Sequence, residues 1–464
     1  DVEVVDHTAA DDAPENNAKA VAAYRQKGHG RLKNAAILTF SYALEGISRL
    51  RNILRPGRRR TLMLVNANVA LPLVQGYRAS AITPVFLSRT LPRRLALYLH
   101  CLRHGVELVN PWPKSVSGAD RALIDAVRDA LLGLTSAPAT GALAFANAYV
   151  RENIVNDRTL REAAGDILAA EALLERLRPS RIVVDGVRSR RHLIFLQLAK
   201  ARGIACDYTW HAPLTPQSLK LGAVGSDPRQ PVLVDRVLSW GRTNEAWLQR
   251  IAARVPFERT GSPLRDKYSG GAGAGIGPRT GTDRHVLVLQ YGFNIVDLAG
   301  VNANMYGTFV NLIRQLRGLG YTDIRYKMHP GPGRWQREYF ERIAAHFGIE
   351  CEIQQMQPFE DCLDWADVVI GPSHTGAMFE TLAAGKPYIS LMLPPHSTFD
   401  LAYFGDFPVL QSLDDLPAAL DDYDTAAARR LLNDVYAVDD VPNPTRKFWE
   451  VLAQDPPGKQ GDAH

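Results

Sequence analysis

The chain has 464 residues, 46% hydrophobic and 22% charged, with a formal net charge of +5. That balance excludes a disordered chain, and the lack of any apolar run of about eighteen residues excludes a membrane-spanning helix. The length exceeds one ordinary core, so two domains are expected.

Residues 1–30 are acidic, polar and aperiodic, which predicts a frayed or disordered lead. The chain opens on Asp1 with no signal-peptide pattern, so the expectation is a trimmed, cytoplasmic chain. Cys101, Cys206, Cys351 and Cys362 are scattered without a CxxC pair. This argues against a disulfide scaffold or zinc site and for a reducing compartment. Over 31–60, Ile37, Leu38, Phe40, Leu44, Ile47 and Leu50 fall near helical spacing among basic residues from Arg31 to Arg60. Such a helix suits either packing on the core or peripheral contact with an anionic membrane face. The basic cluster Arg49 to Arg60 has no interleaved aromatics and so no nucleic-acid signature, and no nucleic-acid partner is expected.

From Thr61 onward apolar strands alternate with helices. Strands are predicted at 61–65, 82–87, 106–110, 181–184, 203–210 and 232–240, with a long helical stretch over 119–177 and a helix over 244–250. Residues 269–283 are glycine-rich with little that packs, which marks a linker. Beyond it the alternation restarts: strands at 286–290, 324–327, 352–353, 368–370 and 387–391, helices at 305–316, 334–347, 359–366 and 377–384. The expected architecture is an α/β chain of two doubly wound, Rossmann-like domains, 31–268 and 284–454, facing across a cleft, with a disordered tail over 455–464.

Candidate chemistry lies at strand ends, where open parallel sheets present their ligands. Asp185 follows Ile182-Val183-Val184 and precedes Gly186. It is placed either to catalyse or to cap the next helix. Arg188 shares that loop and has the fork that grips a carboxylate. His211 ends the next strand; Asn66 and Asn68 follow the first, with turn chemistry as the alternative role. In the second half His329 is fixed by Pro330, which holds the preceding backbone extended. Ser373, His374, Thr375 and Gly376 form a polar turn at a helix N-terminus, an anion site by amide donors and dipole, or a plain N-cap. Glu380, one turn on, is placed to meet a ribose. No GxxxxGK[ST], no GxGxxG after a strand and no HExxH occurs, so kinase-like, dehydrogenase and metalloprotease readings lose their usual support.

These residues resemble the GT-B glycosyltransferases, and among them bacterial enzymes using CMP-activated ulosonic acids (Kdo or sialic acid) in capsule and lipopolysaccharide synthesis. Asp185-Gly186 is similar to their acidic motif, His329-Pro330 to their HP motif, and Ser373 to Thr375 to their serine pair. Val184 stands in place of the first acid, and His374 interrupts the pair. The resemblance implies that Asp185 is the acceptor's base or the nucleophile. It also implies that His329, Ser373 and Thr375 stabilise the leaving nucleotide, that Glu380 holds the ribose, and that neither metal nor cofactor takes part. The implied partners are a nucleotide-sugar donor and a glycan or lipid-linked glycan acceptor. A UDP-sugar or polyol-phosphate transferase, or a nucleotide-sugar 2-epimerase, shares the architecture.

Overall fold

The computed structural model describes residues 43, 45–47, 50, 58–78, 81–87, 91, 95–109, 118–136, 140–186, 189–214, 233–250, 255–268, 284–290, 301–329, 334–373, 375–393 and 401–454. The expected lead, linker and tail at 1–30, 269–283 and 455–464 lie outside them, as does most of 31–60. Within that last stretch Glu45 is buried, 3.7 Å from Arg176, while Ile47 and Leu50 are exposed.

The first half builds strands β1 (Arg59–Leu64), β2 (Ile82–Leu87), β3 (Glu107–Val109), β4 (Arg181–Val184), β5 (Ala205–Tyr208), β6 (Arg236–Ser239) and β7 (Phe257–Arg259). They form one parallel sheet in the order β3-β2-β1-β4-β5-β6-β7. Leu62, Met63, Leu64, Ile182, Val183 and Val184 are all buried, as unbroken apolar runs must be when helices cover both faces. Those helices are α1 (Ala67–Gly76), α2 (Leu95–His104), α3 (Gly118–Thr135), α4 (Gly141–Tyr149), α5 (Asp157–Leu177), α6 (Arg190–Ala201) and α7 (Arg242–Arg250).

The second half repeats the plan with β8 (Val286–Leu289), β9 (Ile324–Lys327), β10 (Glu352–Gln354), β11 (Val368–Pro372), β12 (Tyr388–Leu391) and β13 (Val409–Leu410), in the order β10-β9-β8-β11-β12-β13. Helices α8 (Val301–Gly318), α9 (Arg334–His346), α10 (Phe359–Trp365), α11 (Gly376–Ala383) and α12 (Leu416–Asp421) accompany it. Its own core gathers Phe309, Ile313, Tyr326 and Phe340 around Val286, Val288 and Ile370. The two doubly wound sheets are those expected from the sequence.

The last two helices, α13 (Thr425–Tyr436) and α14 (Pro444–Ala453), return to the first sheet and share its core. Trp449 stacks edge-on against Tyr77, and its indole N–H donates to the Leu73 carbonyl at 3.1 Å. Gly241 lies so close to α13 that an added Cβ would sit 2.5 Å from the Asp434 carbonyl oxygen. Arg265 spans the Val438, Val441 and Pro442 carbonyls at 2.9–3.1 Å. At the far end, Arg181 donates to the Gln454 carbonyl at 2.9 Å and Arg236 reaches the Val451 carbonyl at 3.4 Å. Cations there satisfy the orphan carbonyls of a helix C-terminus. Fully buried Asp207 binds both guanidiniums, each at 2.9 Å.

Candidate active site between the two sheets

Each sheet reverses its strand order once, between β1 and β4 and between β8 and β11. A crevice opens outside the carboxyl ends of the strands at such a point. In the first sheet the residues leaving those ends are Asn66, Asp185 and, one strand further, His211. Asp185 is 4% exposed, and its Oδ2 accepts a short hydrogen bond from the Asn66 main-chain N–H. His192 places Nε2 4.0 Å from Oδ1, and His211 Nδ1 lies 3.1 Å from the Asp185 main-chain carbonyl. Burial pushes the Asp185 carboxyl above its ordinary range, opposed by the Asn66 N–H and the two imidazoles. Burial likewise holds His192 below the usual imidazole range, with Asp185 opposing.

The cap of α6 is Ser189, whose hydroxyl accepts the His192 N–H at 3.1 Å, so Asp185 plays no part in it. The Asn66 side chain caps α1 by accepting the Asn68 N–H at 3.1 Å, the turn role rather than a free sugar contact. His192 is the residue that sequence reading misses. The only signal for it is its place three residues after the cap that turns the chain back over Asp185.

In the second sheet Gln290, His329 and Ser373 leave the ends of β8, β9 and β11. Since β8 lies between the other two, His329 and Ser373 stand about 10 Å apart across it at ordinary strand spacing. Gln290 accepts the His329 N–H at 2.9 Å. Burial and the nearby Lys327 charge hold the His329 imidazole below its ordinary range. Ser373 is fully buried, and its Oγ has no hydrogen-bond partner among the described residues. Gly371 is required just before it, because a Cβ there would stand 2.6 Å from the Tyr388 hydroxyl and 2.9 Å from Leu289 Cβ. Thr375 caps α11, accepting the Ala377 N–H at 3.3 Å. Glu380 turns toward the end of the first half, where its carboxylate accepts a short hydrogen bond from the Tyr268 hydroxyl. Burial raises the Glu380 carboxyl, offset by Tyr268 and Lys267.

The two sets of residues belong to one region. A Cβ on Gly376 would lie 3.6 Å from Pro213, two residues after His211, so the first turn of α11 touches the loop leaving β5. The Tyr403 hydroxyl donates to the Leu214 carbonyl in the same loop. Asp185 and His211 are thus brought together, Gly376 at the start of α11 approaches the loop after His211, and Glu380 meets Tyr268 at the end of the first half. Arg188, Pro330 and His374 lie outside the described residues. Among those described, no group of three or more His, Cys, Asp and Glu is arranged to hold a metal ion, and no helix is long and apolar enough to cross a membrane. An apolar groove of about 510 Å³ between α5 and α6, lined by Ile167, Leu193 and Leu198 among others, opens on the face of α6 away from His192.

No protein-family model matches the chain, and no curated protein sequence does. Solved structures resemble it in fold. A putative UDP-N-acetylglucosamine 2-epimerase from Listeria monocytogenes aligns over 85% of this chain and 95% of its own, with a TM-score of 0.52 and 11% identity. MnaA of S. aureus, solved with UDP, aligns over 86% and 99% at a TM-score of 0.48 and 13% identity. The glycosyltransferase SnogD from Streptomyces nogalater aligns over 85% and 99% at 0.43 and 15%. The chain has the GT-B fold.

Proposed function

We propose that the chain is an enzyme acting on a UDP-activated sugar held between the two strand-order reversals. The observation that carries this reading is the pairing of a buried acid, Asp185, with the turn opening α11, joined through the Pro213–Gly376 approach. The amides of that first turn and the buried Ser373 hydroxyl suit the diphosphate; Asp185 suits proton transfer at the sugar. Departure of the nucleotide breaks the bond from the anomeric carbon to oxygen, and the electron pair leaves with the diphosphate. The proton released from C2 of the sugar or from an acceptor hydroxyl passes to Asp185, and the electron pair it leaves closes a C1–C2 double bond or forms the new bond from the acceptor oxygen to the anomeric carbon. His329, at the end of β9 with β8 between it and Ser373, adds a donor toward the developing charge.

Uridine rather than cytidine is favoured by the fold likeness to a putative UDP-N-acetylglucosamine 2-epimerase; nothing in that likeness supports a CMP-ulosonic acid. The test is a thermal-shift series with UDP, CMP, CDP and GDP, since a ligand that binds only the folded chain raises its melting temperature. A UDP shift exceeding the others is expected. A shift with CMP alone would return the ulosonic-acid reading, and no shift with any nucleotide would sink the proposal. Incubation with UDP-N-acetylhexosamines in deuterium oxide then separates the chemistries. Label entering C2 without an acceptor marks epimerisation; UDP release only with an acceptor marks transfer.

A further inference from the structure

We propose that His192 is the proton relay of this site, carrying protons between solvent and Asp185. Among the described residues the geometry leaves few other routes. Asp185's side chain is 6% exposed, and one carboxylate oxygen is engaged by the Asn66 N–H. The other oxygen faces His192 Nε2 at 4.0 Å, and that ring is 23% exposed. His211 meets Asp185 through the main-chain carbonyl rather than the carboxylate, so it orients the loop and offers no path to the acid. The Gly186 backbone packs against the other edge of the ring, where an added Cβ would lie 3.6 Å from Nδ1. Gly186 thus holds the Nδ1 edge and leaves Nε2 toward Asp185. The backbone that carries the ring is fixed by the Ser189 cap.

The step balances without a further reagent. Asp185 takes a proton from the sugar or acceptor and passes it to Nε2. The resulting imidazolium gives the same proton from Nε2 to water at the exposed side of the ring, which restores the neutral imidazole, and the sequence reverses to reload the acid. The gap of 4.0 Å exceeds a hydrogen bond, but such contacts tighten when substrate binds. The groups facing His192 are Asp185 of the β4 end and His211 of the β5 exit. Arg190 and Arg191 on its own helix are turned to Asp166 of α5 at 2.7 and 3.4 Å, and Arg190 lies 3.8 Å from Glu162. Because it acts through Asp185, His192 is a positioning residue.

The proposal rests on the nucleotide-sugar reading only for its substrate, and the experiment keeps the two apart. The histidine rings are titrated by NMR in the wild type and in Asp185→Asn. The expected result is a lower His192 midpoint in the variant, because the carboxylate that favours the imidazolium is gone. An unmoved His192 midpoint would overturn the relay. With a UDP-sugar that turns over, His192→Asn should lower kcat by about 100-fold with little change in KM, flatten the pH–rate profile and recover with added imidazole. A profile identical to wild type would also overturn it. Where His192→Asn does not fold, His192→Gln takes its place. Absence of any UDP thermal shift would strike the substrate reading alone, with the titration still deciding the relay.

Discussion

At Asp185 the demands of folding and of the proposed chemistry pull in opposite directions. A carboxyl whose pKa is raised by burial holds its proton more tightly in the folded chain than in the unfolded one. Its contribution to stability is present below the ordinary aspartate value of 3.8 and is lost as pH rises through the folded value. At neutral pH the ionised group is therefore a burden on the fold. Asp185→Asn should raise the melting temperature at pH 7, abolish turnover, and lose its stabilising effect when unfolding is repeated below that ordinary value. A variant less stable at pH 7 and unchanged in acid would contradict this. The positions of Asp185 and His211 are legible in the sequence because each lies just past a predicted strand, and a strand's end is a defined place. His192 is not, because nothing local says that the first turn of α6 folds back over the acid. The Tyr268–Glu380 contact is hidden for the same reason, with 112 residues between its partners.

Among the elements, those that alternate clearly were readable to the residue: β2, β4 and β9 have the bounds that their apolar runs predict. β7 and β13, of three and two residues, are too short for periodicity to mark, and Phe257 in β7 is largely exposed. The attachment of α14 could not be read either, since it depends on charges buried beneath a sheet. Asp207 looks like an ordinary strand residue until Arg181 and Arg236 close on it. Removing one member of such a buried set leaves charges in a medium that solvates them poorly. Asp207→Ala should therefore destabilise the chain by about 3–5 kcal/mol, read from urea unfolding, while a change below about 1 kcal/mol, as for an exposed pair, would show the network to be solvated.

At the scale of the whole molecule, the site depends on both sheets holding one arrangement, and several ties set it. Tyr268 meets Glu380, Tyr403 meets Leu214, and Arg265 meets the chain between α13 and α14. A chain shortened to residues 1–443 should lose the Trp449 anchor and the buried Phe448. It is expected to bind a hydrophobic dye and to be cut rapidly by protease in its first half; protection equal to the full chain would show that half to be self-sufficient. The return of α14 also bears on how the protein is made. A ribosome releases the seven strands of the first sheet before those of the second, yet the helix that covers Tyr77 and Leu73 emerges only after the second sheet. The first sheet must thus wait, partly uncovered, through translation of the second. Chaperone demand during synthesis should fall on the first sheet, and slowing translation over 284–443 should lengthen that exposure.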